Sequence, residues 1–512
     1  MADANGKDKL ATLEDVARAT GGKLSGASRA AGASLVSDVT HDSREARAGS
    51  LFVAIRGAKF DAHEFVSRVM AGGAVGVVSE RARPAGFAGA WIEVADARAA
   101  LARAAAEVQG HPSRELKLVG ITGTNGKTTT AHLLAAVCEA AGERVAVLGT
   151  VGYRIGAEQF KAEHTTPEAS AVQRFLRRAV AAGCGVAVME SSSQALDLRR
   201  CDALHYDVAV FTNLTQDHLD YHGTMEDYFE AKRRLFDGRL GARPRVAVVN
   251  VDDPYGSRLA AELASAGERV VTFALRAEAA DVRAREVEYT LDGMRFTLGA
   301  SGVETIVRSP LVGRPHIYNM LAAAACGLAL GYELAVAVRA FETCVGAPGR
   351  FERVGHEAGD FAVVVDYAHT DDALRNVLAT ARDVVTAGGR VITVFGCGGD
   401  RDRTKRAPMG EAAASLSDIV ILTSDNPRTE DPEAILADTE VGLRRAAGKQ
   451  YVKIADRRAA IFRAVAEARA GDVVVIAGKG HEDYQIVGTE TFHFDDKEVA
   501  REALAGRKFG GV

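Results

Sequence analysis

The sequence has 512 residues, of which 47% are hydrophobic and 26% charged, and its formal net charge is −5. That length exceeds what a single hydrophobic core supports and predicts about three domains. The acidic balance disfavours nucleic acid as a ligand. No apolar run approaches the roughly 18 residues of a membrane helix, which disfavours membrane insertion. The polar start has no signal-peptide core and predicts a cytoplasmic protein.

The first 112 residues mix short strand patterns with alanine-rich helices. Three apolar runs predict strands, namely "SLFVAI", "GAVGVVS" and "AWIEV". The helical pattern "DARAALARAAAEVQG" ends at Gly110, and Pro112 follows it, a combination typical of a helix end. We therefore predict a first α/β domain over residues 1–112.

From residue 113 the pattern alternates between short apolar strands and helical segments. The predicted strands are "LKLVGI", "RVAVLG", "GVAVME", "DVAVFTNL" and "RVAVVN". Continuous apolar runs of this kind are typical of a parallel sheet that is buried on both faces. The segment "AREVEYTLDGMRFTLGA" alternates around an Asp-Gly turn and predicts a hairpin at the edge of that sheet. We predict a central domain over residues 113–346 with a mostly parallel sheet.

Glycine and proline in "VGAPGRFE" indicate a second boundary, and a third domain is predicted over residues 347–512. Four apolar strands there each run into a polar loop, in "FAVVVDYAH", "GRVITVFGCGGDRD", "SDIVILTSDNPR" and "GDVVVIAGKGHED". Ligands of open α/β sheets bind at the carboxyl ends of the strands. The sequence thus predicts an α/β protein of three domains, the last of them Rossmann-like, with a ligand site among these four loops.

The strongest single signal is "LKLVGITGTNGKTTTAHLLAAV", a strand, a glycine loop and a helix. Gly123 and Gly126 allow backbone N–H groups to approach phosphates, and the helix N-terminus adds its positive dipole. Lys127 is expected to bridge the β- and γ-phosphates, and the Thr128 hydroxyl to bind Mg²⁺. Because Ile121 occupies the place of the first glycine, the loop is not a strict Walker A motif. The alternative to this P-loop-type ATP site is a glycine turn that opens an ordinary helix.

The stretch "GTNGKTTT" resembles the ATP loop of the Mur ligases, the ATP-dependent amide-bond-forming enzymes of peptidoglycan assembly. Further motifs match the family in order along most of the chain: "ESSSQAL", "FTNLTQDHLDYHGTMEDYFEAK", "GRFE", "DYAHTDDAL", "FGCGGDRD", "DNPR" and "GKGHEDYQI". The match is closest to the members that add meso-2,6-diaminopimelate to UDP-N-acetylmuramoyl-L-alanyl-D-glutamate. The resemblance implies a monomer with small-molecule partners, in which ATP phosphorylates the substrate carboxylate and the amino-acid amine attacks the acyl phosphate. It also implies that residues 1–112 bind the UDP-sugar, residues 113–346 ATP and residues 347–512 the amino acid.

The resemblance also assigns roles to individual residues. The implied catalytic residues are Lys127, His218 and Lys232, the last as a carbamate formed with CO₂. The implied Mg²⁺ ligands are Thr128, Glu190 and His218. The implied ATP contacts are Gly123, Thr124, Asn125, Gly126, Lys127, Thr128, Thr129, Asn319, Arg350 and Asp366. The implied contacts to the UDP-sugar-peptide are His41, Ser43, Thr165, Thr166, Ser192 and Arg200. The chain departs from the family pattern at Gln194, Leu198 and His316.

Taken without the family, three of these residues have a plainer interpretation. Glu190 is then a solvated acid at a strand end, His218 a structural histidine, and Lys232 a solvated lysine on an amphipathic helix.

Selection of diaminopimelate over lysine requires a partner for its second carboxylate. Arginine presents a rigid fork of donors that suits a carboxylate, which makes Arg428 in "DNPR" and Arg401 in "GGDRD" the predicted partners. The resemblance adds Asp425, Asn426, Pro427, Gly478 and Glu482 to the diaminopimelate contacts.

Three other functions stay open on the sequence. A lysine-adding Mur ligase would not need Arg428. A folylpolyglutamate synthase-like ligase would leave "DNPR" and the N-terminal "DSR" segment without a role. A nucleotide-binding protein without catalysis would make these motifs surface loops.

Overall fold

The computed structural model describes residues 11–26, 32–57, 60–355, 361–445 and 450–507. The polar start over residues 1–10, on which the predicted cellular location rests, lies outside the described residues. The described chain forms three α/β units, each built on its own sheet. The predicted fold class is confirmed, while the domain boundaries at residues 112 and 346 remain predictions.

The N-terminal sheet has four parallel strands and one antiparallel strand within the described residues. They are β1 Lys23–Ser25, β2 Asp38–Thr40, β3 Ser50–Ala54, β4 Gly76–Ser79 and β5 Ala90–Glu93. Their order is β1-β5-β4-β3-β2, and β1 is the antiparallel one. The accompanying helices are Leu13–Thr20, the 3₁₀ turn Ala62–Phe65, Val66–Ala71 and Ala97–Val108. The three predicted strands are confirmed; β1 and β2, with three residues each, are too short to show a period.

The central sheet positions the glycine loop. Its strands are β6 Lys117–Thr122, β7 Val145–Leu148, β8 Tyr153–Ile155, β9 Glu158–Phe160, β10 Val186–Glu190, β11 Val208–Phe211, β12 Val246–Asn250, β13 Val270–Ala274, β14 Val282–Thr290, β15 Gly293–Ala300 and β16 Val303–Ser309. Their order is β16-β15-β14-β13-β12-β11-β6-β10-β7-β8-β9, with a parallel run from β14 to β7. The predicted hairpin is confirmed as β14 and β15 and gains β16 as a third, antiparallel strand.

Helices cover both faces of the central sheet, which explains its continuous apolar strands. The helices Lys127–Ala140, Arg314–Ala329 and Leu334–Thr343 pack on one face around Val119 and Ile121. The other face carries Ala169–Ala181, Ser193–Asp197, Met225–Arg233 and Pro254–Ser265. The short helix Leu219–His222 buries none of its residues. The 3₁₀ turn Pro112–Arg114 precedes β6. Strand β6 therefore delivers its loop from a buried, rigid position.

The C-terminal sheet repeats this arrangement. Its strands are β17 Glu352–Val354, β18 Ala362–Asp366, β19 Val391–Phe395, β20 Ile419–Leu422, β21 Gln450–Lys453 and β22 Val473–Ala477, with a separate hairpin of β23 Tyr484–Val487 and β24 Glu490–His493. Their order is β17-β18-β22-β19-β20-β21, and all pairs but β17–β18 are parallel. One face packs against Asp371–Val384, Arg406–Leu416 and Pro432–Arg445, the other against Arg457–Glu467 and Asp496–Gly506. Because β18, β22, β19 and β20 run parallel side by side, their four polar loops meet at one edge.

No helix in the described ranges is long and apolar enough to cross a membrane.

Candidate active site

A glycine loop joins β6 to the helix Lys127–Ala140. Gly123 and Gly126 have φ angles of 146° and 85°. A Cβ atom on Gly123 would lie 1.9 Å from Thr212 Oγ1, and one on Gly126 would lie 2.4 Å from Asn319 Oδ1. No side chain of the described residues caps the N-terminus of this helix, so its first N–H groups remain available as donors. The loop can therefore hold a phosphate through its backbone.

Two lysine amines converge on this loop. Lys127 Nζ donates to the carbonyl oxygens of Gly123 and Thr124 at 2.9 Å each, and Lys232 Nζ donates to the same Gly123 oxygen at 2.9 Å. Lys232 is 1% exposed and lies 4.4 Å from the ring centroid of Tyr228, so a solvated helix lysine at this position is excluded. Burial lowers the pKa of both lysines, and the charge of Lys127 lowers the pKa of Lys232 further. The arrangement favours a neutral amine on Lys232.

The carboxylate of Glu190 stands beside the loop at the end of β10. It accepts hydrogen bonds from Thr128 Oγ1 at 3.0 Å, from the Thr150 N–H at 2.8 Å and from Thr150 Oγ1 at 3.0 Å; Thr150 Oγ1 also lies 3.1 Å from Thr165 Oγ1. Glu190 is 1% exposed, so a solvated strand-end acid is excluded. A carboxylate and a hydroxyl that share a short contact are oxygen donors of the kind Mg²⁺ takes.

His218 lies in the loop after β11, with a φ angle of 53°, and its side chain is 45% exposed. Its Nε2 is 3.5 Å from Asp217 Oδ2. Burial lowers the pKa of His218, and the charges of Lys127 and Lys232 add to this effect against that of Asp217, which favours the neutral imidazole. Among the described residues there is no group of three His, Cys, Asp or Glu side chains able to hold a metal ion. A metal here would need hydroxyl, phosphate or water ligands as well.

Of three further predicted ATP contacts, one lies at the glycine loop and two lie at the start of the C-terminal domain. Asn319 Oδ1 touches the loop at Gly126 and accepts from Thr130 Oγ1 at 3.3 Å. The Arg350 guanidinium lies 4.4 Å from the ring centroid of Tyr367. The Asp366 carboxylate accepts hydrogen bonds from the Phe351 N–H at 2.7 Å and the Ala368 N–H at 2.8 Å. Burial raises the pKa of Asp366, and the Arg350 charge opposes that rise.

Two other predicted ATP contacts, Thr124 and Thr129, are buried. Thr124 Oγ1 lies 3.2 Å from Tyr228 Oη, and Thr129 is 4% exposed in the helix. His316, where the chain departs from the family, is 5% exposed, and its Nδ1 lies 2.8 Å from the Val312 carbonyl oxygen. His316 thus braces the start of its own helix.

The predicted sugar-peptide contacts of the central domain form one network next to Glu190. Thr166 Oγ1 donates to the Glu190 carbonyl oxygen at 2.6 Å and accepts from the Ser192 N–H at 3.1 Å. Arg200 donates to the Thr166 carbonyl oxygen at 3.1 Å and pairs with Glu168 at 2.6 Å. The network connects the substrate contacts to the predicted metal ligand.

His41 and Ser43 lie on the N-terminal domain, in the loop after β2. Arg68 donates to Ser43 Oγ. The Nδ1 atom of His41 is buried and has no hydrogen-bond partner within the described residues, so it is available to bind a ligand. Arg174 of the central domain lies 3.2 Å from Asp38 Oδ2 at the start of β2, so this segment is tied to the central domain.

In the C-terminal domain the two predicted selector arginines flank Gly398. A Cβ atom on Gly398 would lie 3.0 Å from Arg428 Nη1 and 3.7 Å from Arg401 Cγ. Arg428 Nη1 donates to the Gly399 carbonyl oxygen at 2.7 Å, and it is the one guanidinium nitrogen of Arg428 with a bonded acceptor in the described chain. Arg401 is exposed. The Arg428 guanidinium and the Arg401 side-chain stem therefore lie on either side of Gly398, and much of the Arg428 fork has no acceptor within the described residues.

The backbone of Arg428 is strained and held. Its φ angle of 51° lies in the left-handed region. The hairpin β23–β24 holds it there: the Arg428 N–H donates to the Ile486 carbonyl oxygen at 3.1 Å, and the Gly488 N–H donates to the Arg428 carbonyl oxygen at 2.7 Å. The neighbouring Pro427 packs so closely that a Cβ atom on Gly399 would lie 1.9 Å from its carbonyl oxygen. Such strain is common at ligand sites.

Lys479 ties two of the strand-end loops together, and sequence reasoning missed it although it lies within "GKGHE". It is fully buried, and its Nζ donates to Asn426 Oδ1 at 3.0 Å and to the Tyr484 carbonyl oxygen at 2.7 Å, with Asp425 Oδ1 at 3.2 Å. Burial raises the pKa of Asp425, but the charges of Lys479 and Arg457 outweigh it, so that pKa is lowered. Asp425 is therefore an ionised, braced carboxylate.

The other two predicted residues of this region lie beside that carboxylate. Asn426 Nδ2 donates to Glu482 Oε2 at 3.2 Å. Burial, with the Asp425 charge, raises the pKa of Glu482. A Cβ atom on Gly478, which has a φ angle of 120°, would lie 3.8 Å from Asp425 Oδ2. The predicted diaminopimelate contacts are thus brought together at one edge of the sheet.

Two buried arginines support the loops from behind and were also missed. Arg457 donates to both carboxylate oxygens of Asp496, at 2.8 and 2.7 Å, and to the Ala477 carbonyl oxygen at 3.0 Å. Arg406 pairs with Glu430 at 2.8 Å and with Asp438 at 2.9 Å. Nothing in the sequence distinguishes them from the many surface arginines.

Comparison with known proteins gives one family for most of the chain. Residues 121–327 match the model of the Mur ligase middle domain, and residues 349–480 match that of the Mur ligase glutamate ligase domain. The UDP-N-acetylmuramoyl-L-alanyl-D-glutamate–2,6-diaminopimelate ligase of Solibacter usitatus is 49% identical over 92% of this chain and 94% of its own. That of Geobacter metallireducens is 47% identical over 96% and 98%. A solved structure of such a ligase, 36% identical, superposes with a TM-score of 0.67 over 92% of this chain and 95% of its own.

Proposed function

The chain belongs to the Mur ligase family, and we propose that it joins meso-2,6-diaminopimelate to UDP-N-acetylmuramoyl-L-alanyl-D-glutamate. ATP is consumed, and the products are the UDP-N-acetylmuramoyl-tripeptide, ADP and phosphate. It is thus an ATP-dependent amide-forming ligase. The observation that carries the choice of amino acid is the pair of arginines around Gly398, because only part of the Arg428 fork is bonded within the protein.

The first step is transfer of the γ-phosphoryl group of ATP to the terminal carboxylate of the sugar-peptide. The carboxylate oxygen forms the new bond to phosphorus while the bond to ADP breaks. The glycine loop and Lys127 would hold and neutralise the phosphates, and Thr166, Ser192 and Arg200 would orient the sugar-peptide. Positioning and charge neutralisation supply most of the acceleration in such transfers.

The second step is attack of the diaminopimelate amine on the acyl phosphate. The tetrahedral intermediate expels phosphate, and the amine loses its proton as the amide forms. Asp425, Asn426 and Glu482 would orient the amino acid, while Arg401 and Arg428 would hold its distal carboxylate. The positions of these loops on the C-terminal domain require that domain to meet the acyl phosphate of the central domain.

Mg²⁺ fits the oxygen donors Thr128 and Glu190, and when bound it would neutralise charge on the phosphates.

Lys232 would act as a carbamate. Its buried amine is biased towards the neutral form, and it is this form that adds to CO₂ with loss of a proton. We expect turnover to fall when dissolved CO₂ is removed and to return with bicarbonate in the wild type, but not in Lys232→Ala. A carbamate-independent enzyme would show no response to CO₂.

Competition between amino acids tests the proposal most directly. Phosphate release is measured with ATP and the UDP-linked dipeptide, with meso-diaminopimelate or L-lysine as the amine. Diaminopimelate should be preferred by at least about 100-fold in kcat/KM, because lysine leaves the arginines without their carboxylate. Preference for lysine would support a lysine-adding ligase, and turnover only with a folate substrate would support a folylpolyglutamate synthase. Lack of turnover with every amino acid would refute the ligase function.

The oligomeric state is a further part of the proposal. We propose a monomer; light scattering during gel filtration should give about the 54.0 kDa of one chain, and a mass of twice that value would contradict it.

A further inference from the structure

Asp372 connects the C-terminal domain to the glycine loop. It lies in the first turn of the helix Asp371–Val384. Its Oδ2 atom accepts hydrogen bonds from Asn125 Nδ2 at 2.7 Å and from Thr215 Oγ1 at 2.9 Å, both in the central domain. A third donor, Asn376 Nδ2 at 3.3 Å, comes from its own helix. One carboxylate oxygen thus collects donors from two domains.

Both central-domain donors are themselves fixed to the glycine loop. The Asn125 N–H donates to Asn213 Oδ1 at 2.9 Å, and its carbonyl oxygen accepts from Thr212 Oγ1 at 2.7 Å. The Thr215 N–H donates to Thr124 Oγ1 at 3.0 Å. Asp372 is therefore linked, through Asn125 and Thr215, to the loop that is proposed to hold the phosphates.

The other polar side-chain contacts between these two domains lie elsewhere. In the part of the chain that the structure describes, they are Tyr289 Oη to Asp383 Oδ2 and Arg353 Nη1 to Asp292 Oδ1, each 2.8 Å. Both lie near the hairpin β14–β15 and are exposed, and exposed pairs of this kind contribute little. The hydrogen bond between Asp372 and Asn125, by contrast, reaches the glycine loop and is partly buried.

We infer that Asp372 is a positioning residue, which sets the C-terminal domain against the occupied glycine loop during amide formation. The inference rests on the proposed function, because it requires the amine on one domain to meet the acyl phosphate on the other. The reacting atoms must come within about 3 to 3.5 Å, and a misplacement of about 1 Å costs about 100-fold in rate. Most of the predicted nucleotide contacts lie in the central domain, and Asn125 stays bonded to Asn213 and Thr212 without Asp372. The affinity for ADP should therefore depend on Asp372 much less than the rate of amide formation does.

Asp372→Ala removes the link and Asp372→Asn weakens it, because the amide oxygen still accepts both donors but without charge. We expect kcat for tripeptide formation to fall about 30- to 100-fold in the first and about 3- to 10-fold in the second. The dissociation constant for ADP, measured by calorimetry, should change less than about twofold. Asp371→Asn is the matched control: it removes the same charge from the same helix turn and should leave kcat near that of the wild type.

A double-mutant cycle tests the contact itself. If Asp372 acts through Asn125, then Asn125→Ala and Asp372→Ala together should lower kcat no further than the more damaging single change. Additive losses, or a kcat for Asp372→Ala within about twofold of Asp371→Asn, would overturn the inference. So would a loss of kcat matched by an equal loss of ADP affinity. A wild-type enzyme inactive with every amino acid would instead refute the proposed function, and the two failures are thus distinguishable.

Discussion

Lys479 and Asp425 form a buried ion pair whose removal has consequences for both stability and selectivity. In Lys479→Met the ammonium disappears from a site with no exposure to solvent. Asp425 then loses its partner at 3.2 Å, and Asn426 Oδ1 and the Tyr484 carbonyl oxygen lose their donor. The methionine side chain is nearly as long as that of lysine, so a loss of stability would not come from a cavity.

Removal of one member of a buried ion pair costs about 3 to 5 kcal/mol, because the other charge stays buried without compensation. Arg457 remains near Asp425 and lowers its pKa in the same direction as Lys479, which places the expected loss at the lower end, about 3 kcal/mol. Lys479→Met combined with Asp425→Asn leaves no net charge and should recover about 1 to 2 kcal/mol of that loss. The double variant is thus expected to be more stable than the single one.

Urea unfolding followed by far-UV circular dichroism and by intrinsic fluorescence measures these differences, and the KM for meso-diaminopimelate is measured alongside. The KM should rise by about tenfold or more, since Asp425 and Asn426 lose their brace, while the KM for ATP stays unchanged. Lys453→Met is the control: its pair with Glu440 at 3.0 Å is partly exposed, and the expected loss is below about 1 kcal/mol. A stability of Lys479→Met within about 0.5 kcal/mol of the wild type would refute the reasoning.

Three other changes have expected outcomes. Lys127→Ala should abolish turnover, because the phosphates lose their cation; retained activity in the phosphate-release assay would contradict the ATP-loop assignment. Arg428→Lys should raise the KM for meso-diaminopimelate by about 10- to 100-fold with little effect on nucleotide binding, because an ammonium replaces a bidentate fork; kinetics equal to the wild type would reject the selector role. Burial lowers the pKa of His481 from 6.5 to about 4. The unfolded chain therefore takes up a proton that the folded chain does not, and stability falls as the pH drops through that interval. His481→Gln should flatten the pH dependence of the unfolding midpoint, and an unchanged slope would contradict the lowered pKa.

The architecture was predictable because its strands are buried on both faces. Runs such as "GVAVME" and "DIVIL" leave no polar face, and their helices fill the gaps between them. The shortest strands escaped prediction for the opposite reason. Strands β8 and β9 have three residues each and lie at an edge of the sheet, so their sequences carry too few residues for a pattern to appear.

The location of the site was predictable for the same reason as the fold. Polar residues that follow an apolar strand lie at the carboxyl edge of a parallel sheet, and Glu190, Asp366 and Asp425 all end there. A sequence pattern cannot show which residues of two different domains lie close together in space. Asp372 and Asn125 are 247 residues apart in sequence, and no periodicity relates them.

The role of each charge at such an edge depends on how many of its hydrogen-bonding groups the protein itself uses. Lys479 Nζ donates to Asn426 and Tyr484 and forms an ion pair with Asp425, so the protein itself uses this ammonium to hold its loops. Arg428 bonds through Nη1 alone within the described residues, although the hairpin holds its backbone in a strained conformation. A guanidinium that is held firmly but bonded only in part is expected to bind a ligand. Without a ligand, its unbonded N–H groups would be partly buried without acceptors, which is destabilising. Both residues lie in polar loops that follow apolar strands, so their sequences do not distinguish them. The hydrogen bonds of the structure distinguish Lys479, which supports the loops, from Arg428, the proposed selector.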